Sequence, residues 1–359
     1  MKRKLISLLL TVCLFMTFLP STALADIYIG EVGSAGENII YEFSATTGLF
    51  YAHGTGDMWN FDITGHPAPW SDIKHLIKSV NIGQGINAIG SCTFNNCSNL
   101  QSVLIDSGVT EIGSGAFDNC SMLTNIELPN SIQKINRSAF RNCTGLTSIR
   151  LPESVTELRS MTFLGCTRLR NVNIPTSIKR IANNLFYECS SLSTIEIPVG
   201  VTDIGIAAFK GCASLDTVTI PEGVTKMQWN AFYDCTGLKA VYLPVSLTTI
   251  EYDAFSNCYS LSDVYYAGSE SQWNNISTNG TIFGGSNPTI HFAIEDPTPQ
   301  QYTVSFYPNG GIVGTVSKTV TNGESYGNLP TPLEVDIIFS DGLRLPAAVH
   351  KLPVIQQWT

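Results

Sequence analysis

The sequence predicts a repeat solenoid, β-rich and joined by short turns or 3-10 segments, with a small truncated β module at its C-terminus. Two observations carry that expectation. Eight cysteines (Cys97, Cys120, Cys143, Cys166, Cys189, Cys212, Cys235 and Cys258) follow one another at 23-residue intervals without an insertion or deletion. A Phe stands three residues before each of them, from Phe94 to Phe255, and a Leu three residues after, from Leu100 to Leu261. A unit of that size cannot bury its own apolar face, so neighbours must stack and share one core.

Taken from the N-terminus, Met1-Lys2-Arg3-Lys4 precedes an apolar run from Leu5 to about Leu19 and then Ala23-Leu24-Ala25. This order is that of a secretory signal peptide, residues 1–25, cleaved after Ala25; the run is too short to span a bilayer. Cys13 follows Val12 rather than a small residue, which argues against a lipid anchor. The mature chain is therefore expected to be exported and not inserted in a membrane.

The repeats occupy 74–266. Their template is Ala-Phe-x-x-Cys-x-x-Leu-x-x-Val-x-Ile-Pro-x-x-Val-x-x-Ile. Alternating Val-x-Ile predicts a short strand with its apolar side inward. The proline that follows, as at Pro129, Pro152 and Pro175, ends it because it cannot donate to a ladder. Ala-Phe-x-x-Cys is too short for a helix and predicts a turn, or one helical turn, on the opposite face. Ile77, Val80, Ile82, Ile86 and Ile89 form a degenerate first unit in the same phase. Stacking of like on like predicts buried columns of Phe, Leu and Cys.

This template resembles the BspA-type leucine-rich repeat, over about Ile77 to Tyr266. Gly54-Thr55-Gly56-Asp57-Met58 with Pro69-Trp70 resembles the N-terminal cap of such arrays, residues 26–73. Val264-Tyr265-Tyr266-Ala267-Gly268 with Gln272-Trp273 is similar to the segment that closes them, the C-terminal cap being 267–294. The resemblance implies an exported bacterial surface or secreted binding protein, adhesin-like, contacting a protein or glycan on another cell or matrix.

Residues 295–301 read as a polar, proline-bearing linker. Beyond it, Tyr302–Phe306 alternates like a strand, Pro308-Asn309-Gly310-Gly311 makes a turn, and Val316–Val320 is a second strand. Residues 302–332 resemble the first half of the Listeria–Bacteroides repeat, a β module similar to the B-repeat of internalin-type adhesins. The family's Gly-Trp-Phe and Gly-Gly elements are missing from the tail, 333–359. Permitted codons for Phe339–Trp358, read two bases out of frame, restore a sequence of that kind, so the tail is read as a frameshift product.

Loss of the leader's three cations takes the formal net charge from −9 to −12. An acidic chain disfavours nucleic acid and anionic membrane surfaces. Nucleophile-elbow, zinc-protease, phosphate-loop and dinucleotide motifs are missing. The histidines, His53, His66, His75, His291 and His350, lie outside the repeat core, Ile77 to Tyr266, and read as surface or cap residues. No enzymatic activity, cofactor or metal is expected, since one cysteine per rung with no histidine nearby cannot form a zinc site. Parallel side chains in one column suit packed thiols better than disulfides. Cys92 falls off the period, and the recurring Asn-Cys-Ser/Thr triplets read as a by-product of the template.

What remains is the strand's outward face, five and seven residues after each cysteine, where residues change from rung to rung. The candidate ligand contacts there are Tyr242, Tyr265, Arg150, Glu127, Glu196 and Asn173. The two tyrosines lead, because aromatic anchors carry interface energy. Their exposure predicts that removing both costs less than about 0.5 kcal/mol of stability. The rival readings are a passive spacer and a polysaccharide-binding accessory of a catalytic domain lost with the tail.

Overall fold

The computed structural model describes residues 27–34, 38–62 and 65–292, together with the strands Gln301–Pro308, Val316–Thr321, Val335–Ile338 and Arg344–Leu345. The leader and Cys13 lie outside the described residues. The chain divides into two units, 1–293 and 294–359.

In the first unit the 23-residue period becomes about nine turns of a β-solenoid. The Val-x-Ile strands pair in parallel with residues directly opposite their equivalents, as in Ser79–Ile82 with Ser102–Ile105 and Ala240–Leu243 with Asp263–Tyr266. The closing apolar pair builds a second parallel ladder, in which Glu111 faces Lys134, Lys134 faces Glu157 and Asp203 faces Lys226. Each proline that ends a strand also closes the following turn. Pro152 O accepts from Val155 N at 3.0 Å and Pro175 O from Ile178 N at 3.1 Å.

Ala-Phe-x-x-Cys is a turn rather than a helical turn. It carries two left-handed residues per rung, five and one before the cysteine, for example Gly115 with Asn119, Ser138 with Asn142 and Asn230 with Asp234. This geometry points alternate N–H groups at the next rung. Cys92, Phe94 and Asn96 donate to Ser114, Ala116 and Asp118, giving a third ladder. Cys92 thus has a place on the period after all: it fills the left-handed position five before Cys97. The Asn before Cys97, Cys120, Cys143 and Cys258 has a physical cause too, since Asn tolerates this conformation better than most residues. Its amides chain along the axis, Asn142 Nδ2 donating to Asn119 Oδ1 and Asn119 Nδ2 to Asn96 Oδ1, both at 2.9 Å.

Phe94 to Phe255 are fully buried in one column, with successive centroids 4.9–5.8 Å apart and planes within 17° of parallel. The Leu and Cys columns are buried beside it. The cysteines from Cys97 to Cys258 are buried free thiols. They are more than small hydrophobes: from Cys120 onward each Sγ donates to the carbonyl of the preceding rung's Phe, as Cys143 does to Phe117 O at 3.1 Å.

An N-terminal hairpin seals one end. Strand β1 (Ile27–Glu31) pairs antiparallel with β2 (Asn38–Ser44), and β2 with β3 (Leu49–Asp57). The start of β3 joins the first ladder at Ser79–Ile82, and its end joins the second at Ile86 and Ala88. Gly54 permits the close β2–β3 approach, since a Cβ there would stand 1.8 Å from Asn38 O. Trp70, fully buried, heads the Phe column against Phe50 and Phe94 and donates from Nε1 to Thr93 O at 2.9 Å.

At the far end all three ladders continue past Tyr266. Ser277–Thr278 extends the second, Thr281, Ile282 and Gly284 the turn ladder, and Thr289–Phe292 the first. Phe283 stacks under Phe255. The helix α1 (Glu270–Asn274), capped by Ser269 and Gln272, is inserted into this last turn and packs Trp273 on Tyr266 and Phe292. The partly buried Phe283, Ile290 and Phe292 leave this end less completely covered than the first.

The second unit is a four-stranded antiparallel sheet. Gln301–Phe306 pairs with Val316–Thr321, so the first strand starts at the last residue of the expected linker. Val335–Ile338, inside the aberrant tail, pairs with Ser305–Pro308. The Pro308-Asn309-Gly310-Gly311 turn lies largely outside the described residues.

Candidate functional site

The six candidate contacts share one column on the outer face of the first ladder, because each stands seven residues after its cysteine. Glu127, Arg150, Glu196 and Tyr265 are exposed, and Asn173 and Tyr242 half-buried. Glu127 and Arg150 face each other across an isolated parallel bridge. Asn173 is committed to the frame: its Oδ1 accepts from Leu151 N and its Nδ2 donates to Leu151 O, both at 2.8 Å. The side chain thus stands in for one backbone pair, and the local strand stops at Val172. Glu196 lies in a stretch without strand pairing, apart from the others.

Tyr242 and Tyr265 are brought together. Their rings stack at 4.8 Å with planes 11° apart, as expected for like residues on successive strands. The stack has a third member that the sequence reading set aside. His291 lies on Tyr265 at 4.6 Å and 14°, and its Nε2 is 2.7 Å from Asp263 Oδ1. Ser262 Oγ donates to Asp263 Oδ2 at 2.6 Å. That hydroxyl, and after it His291, holds the Asp263 carboxyl below the usual carboxylate range. His291 escaped notice because α1 breaks the 23-residue count. The available signal was the Thr289-Ile290-His291-Phe292 alternation, which matches Asp263-Val264-Tyr265-Tyr266.

Stacking covers both faces of the Tyr265 ring and one face of Tyr242. The result is a narrow aromatic strip at one end of a column that also carries Leu104, Glu127, Arg150 and Glu196, while Ser102, Asn125, Ser148, Asn171, Thr194 and Thr217 occupy the neighbouring column. The second ladder offers a contrasting surface. Glu111, Lys134, Glu157, Arg180, Asp203 and Lys226 alternate in sign along it. Lys134 meets Glu157 at 3.5 Å, Arg180 meets Asp203 at 2.9 Å, and Lys226 meets Glu251 at 2.6 Å. That column neutralises itself and has little charge left for a ligand. Among the described residues there is no metal-ligand cluster and no helix long and apolar enough to cross a membrane.

Parallel ladders in register, a Phe–Leu–Cys core and a variable outer strand face define a leucine-rich-repeat solenoid. The BspA type leucine-rich repeat profile matches residues 73–192 and 157–283, in six copies, and the chain belongs to that family. Among solved structures, a leucine-rich repeat protein from Bacteroides ovatus ATCC 8483 is 20% identical, with 75% of each chain covered and a TM-score of 0.50, and shares the fold. One from Eubacterium ventriosum ATCC 27560 is 23% identical over 67% of this chain and 79% of its own, with a TM-score of 0.42. A leucine-rich cell surface protein from Faecalibacterium prausnitzii A2-165 is 22% identical over 70% and 99%, with a TM-score of 0.31. Among curated proteins no relative matches the sequence.

Proposed function

We propose that this chain is an exported bacterial surface or secreted binding protein, adhesin-like, which contacts a macromolecule of another cell or matrix through the outer face of its first ladder. The observation that carries the reading is the Tyr242–Tyr265–His291 stack, an aromatic strip set on an invariant frame whose outward residues change from rung to rung. Solenoids of this kind use extended variable faces for binding, and aromatic residues anchor such interfaces. Family membership supports a surface location, and the leader-like Met1–Ala25 sequence supports export. The net charge argues against nucleic acid as the ligand.

The test is adhesion of the folded full chain to immobilised extracellular-matrix proteins and to whole cells, compared with variants of the two tyrosines. Binding that falls about tenfold or more on altering the strip supports the site. Undiminished binding moves the site elsewhere, and no binding to any surface favours the spacer.

A further inference from the structure

A second exposed column of large side chains lies away from this strip. Six residues before the last three cysteines, Cys212, Cys235 and Cys258, stand Ile206, Trp229 and Tyr252, exposed by 37%, 54% and 51%. They lie on consecutive rungs of the turn ladder, joined by Ala207 N donating to Trp229 O at 2.8 Å and Asn230 N to Tyr252 O at 3.1 Å. The same position in earlier rungs holds Ser91, Ser114, Arg137, Ser160 and Asn183, so nothing in the frame calls for apolar residues there. Monomeric proteins rarely leave contiguous apolar surface exposed without a use for it.

This column differs from the tyrosine strip in two ways. Neither Trp229 nor Tyr252 stacks on another ring among the described residues, and Tyr252 has Gly280 against one edge, where a Cβ would stand 2.7 Å from its Cδ2. The basic groups beside them are already paired. Glu251 Oε1 takes Lys226 Nζ at 2.6 Å while its Oε2 accepts from Trp229 N at 3.2 Å, and Asp203 takes Arg180 Nε at 2.9 Å. Asp253, next to Tyr252, accepts from the Ser256 hydroxyl and meets no cation among the described residues, so an anionic polymer finds uncompensated negative charge here. The column is also one residue wide and three rungs long, far short of the roughly 800 Å² per partner of a stable protein interface. Successive rungs are spaced by about 4.8 Å, close to the length of one pyranose unit. A thin, uncharged chain with apolar C–H faces and a matching repeat fits this surface.

We propose that Ile206, Trp229 and Tyr252 form a binding site for an uncharged polysaccharide lying along the solenoid axis, with sugar faces on Trp229 and Tyr252. The site is separate from the tyrosine strip and does not depend on it.

The experiment is affinity electrophoresis of the full chain through native gels containing hydroxyethylcellulose, mannan, xylan or dextran, with heparin as the charged control. The expected result is retardation by at least one neutral polymer and none by heparin. Trp229→Ala and Tyr252→Ala should each raise the apparent Kd tenfold or more, and Trp229→Phe should retain most of the affinity. Thermal unfolding by circular dichroism confirms that each variant folds. The proposal is overturned if none of the four neutral polymers retards the chain, if heparin retards it equally, or if the Trp229→Ala/Tyr252→Ala double variant runs as the wild type does. Light scattering that shows a dimer dissolved by Trp229→Ala would assign the column to a second copy and overturn it too. Failure of the adhesion assay leaves this result untouched, because the two sets of variants share no residue.

Discussion

The Cys166 thiol donates to the carbonyl oxygen of Phe140 on the preceding rung at 3.1 Å, and the same oxygen accepts the backbone N–H of Cys143 at 3.2 Å. The cysteine therefore both fills volume in the core and satisfies the second lone pair of a buried carbonyl. Cys166→Ala removes both contributions. We expect it to destabilise the solenoid by about 1–3 kcal/mol, from lost packing together with an under-satisfied carbonyl. Urea unfolding of the variant is the check, and a midpoint equal to that of the wild type would contradict the role given to the thiol.

Burial also governs when these thiols ionise. Desolvation pushes Cys97 and Cys166 up to about 12, and Cys120, Cys143, Cys189, Cys212 and Cys235 are raised as well, from an ordinary value of 9.0. The folded state then holds its thiol protons while the unfolded state releases them above pH 9, so stability falls as pH rises through that window and is unaffected below it. At pH 10 Cys97 and Cys166, still protonated in the folded chain, each cost on the order of 1 kcal/mol, and the other five act in the same direction. A melting temperature that falls as pH rises from 9 to 10, followed by circular dichroism, is the expected outcome. At pH 8 Cys92 alone is open enough to react with a thiol reagent in the folded protein, and slowly, because burial and then Asp118 raise its thiol too; all nine described cysteines should react in denaturant. A melting temperature that does not fall over that range would show that the thiols are not held neutral.

The left-handed positions make a sharper distinction among side chains. Asn119 has φ 60°, and its amide links Asn96 to Asn142. Asn119→Gly keeps the backbone conformation and loses only exposed amide bonds, whereas Asn119→Ala adds the left-handed penalty of roughly 1–2 kcal/mol. The equivalent position is already glycine at Gly165 and Gly211. Thermal melts should therefore rank wild type and Asn119→Gly close together, with Asn119→Ala clearly lower.

Arg141 grips Asp118 of the preceding rung by two parallel bonds, Nε to Oδ1 at 2.9 Å and Nη2 to Oδ2 at 2.6 Å. Asp118 exposes only 7% of its side chain and Arg141 37%. Arg141→Ala leaves a nearly buried carboxylate without its partner. A fully buried pair would lose about 3–5 kcal/mol; the open side of Arg141 reduces this to about 2 kcal/mol by solvent screening. Asp118→Asn/Arg141→Leu should recover part of the loss, measured as a double-mutant cycle.

Burial at a fixed offset is what made the frame legible. Phe, Leu, Val and Ile recur because each rung must present the same shape to its neighbours, so the columns could be counted from the chain alone. Features that depend on neighbouring rungs rather than on one rung were hidden. The Glu111–Lys134–Glu157–Arg180–Asp203–Lys226 alternation changes residue type at every step and becomes visible only once register is known. Cys92 looked aperiodic because a left-handed turn position also accepts Gly115, Ser138, Met161 and Asn184, which share a backbone angle and no side-chain chemistry. Trp229 and Tyr252 lay on a turn, outside the strand positions where outward residues were sought.

The tyrosine strip is where structure changes the expected energetics most. Read as two independent exposed residues, Tyr242 and Tyr265 would be removable at little cost. Stacked, they are not equivalent: Tyr265 has a ring on each side, Tyr242 and His291, while Tyr242 has one. At about 0.5–1.5 kcal/mol per aromatic contact, Tyr265→Ala should cost about 1–2 kcal/mol of stability and Tyr242→Ala about half as much. An alanine pair therefore confounds lost binding with a loosened last rung. Tyr242→Phe with Tyr265→Phe preserves the stack and removes only the hydroxyls, so it should melt within about 0.5 kcal/mol of the wild type. If the strip binds through its hydroxyls, adhesion should fall with the Phe pair nearly as far as with the Ala pair. Full adhesion by the Phe pair, with loss only in the Ala pair, would show that the hydroxyls play no part and that ligand meets the hydrocarbon edge of the rings.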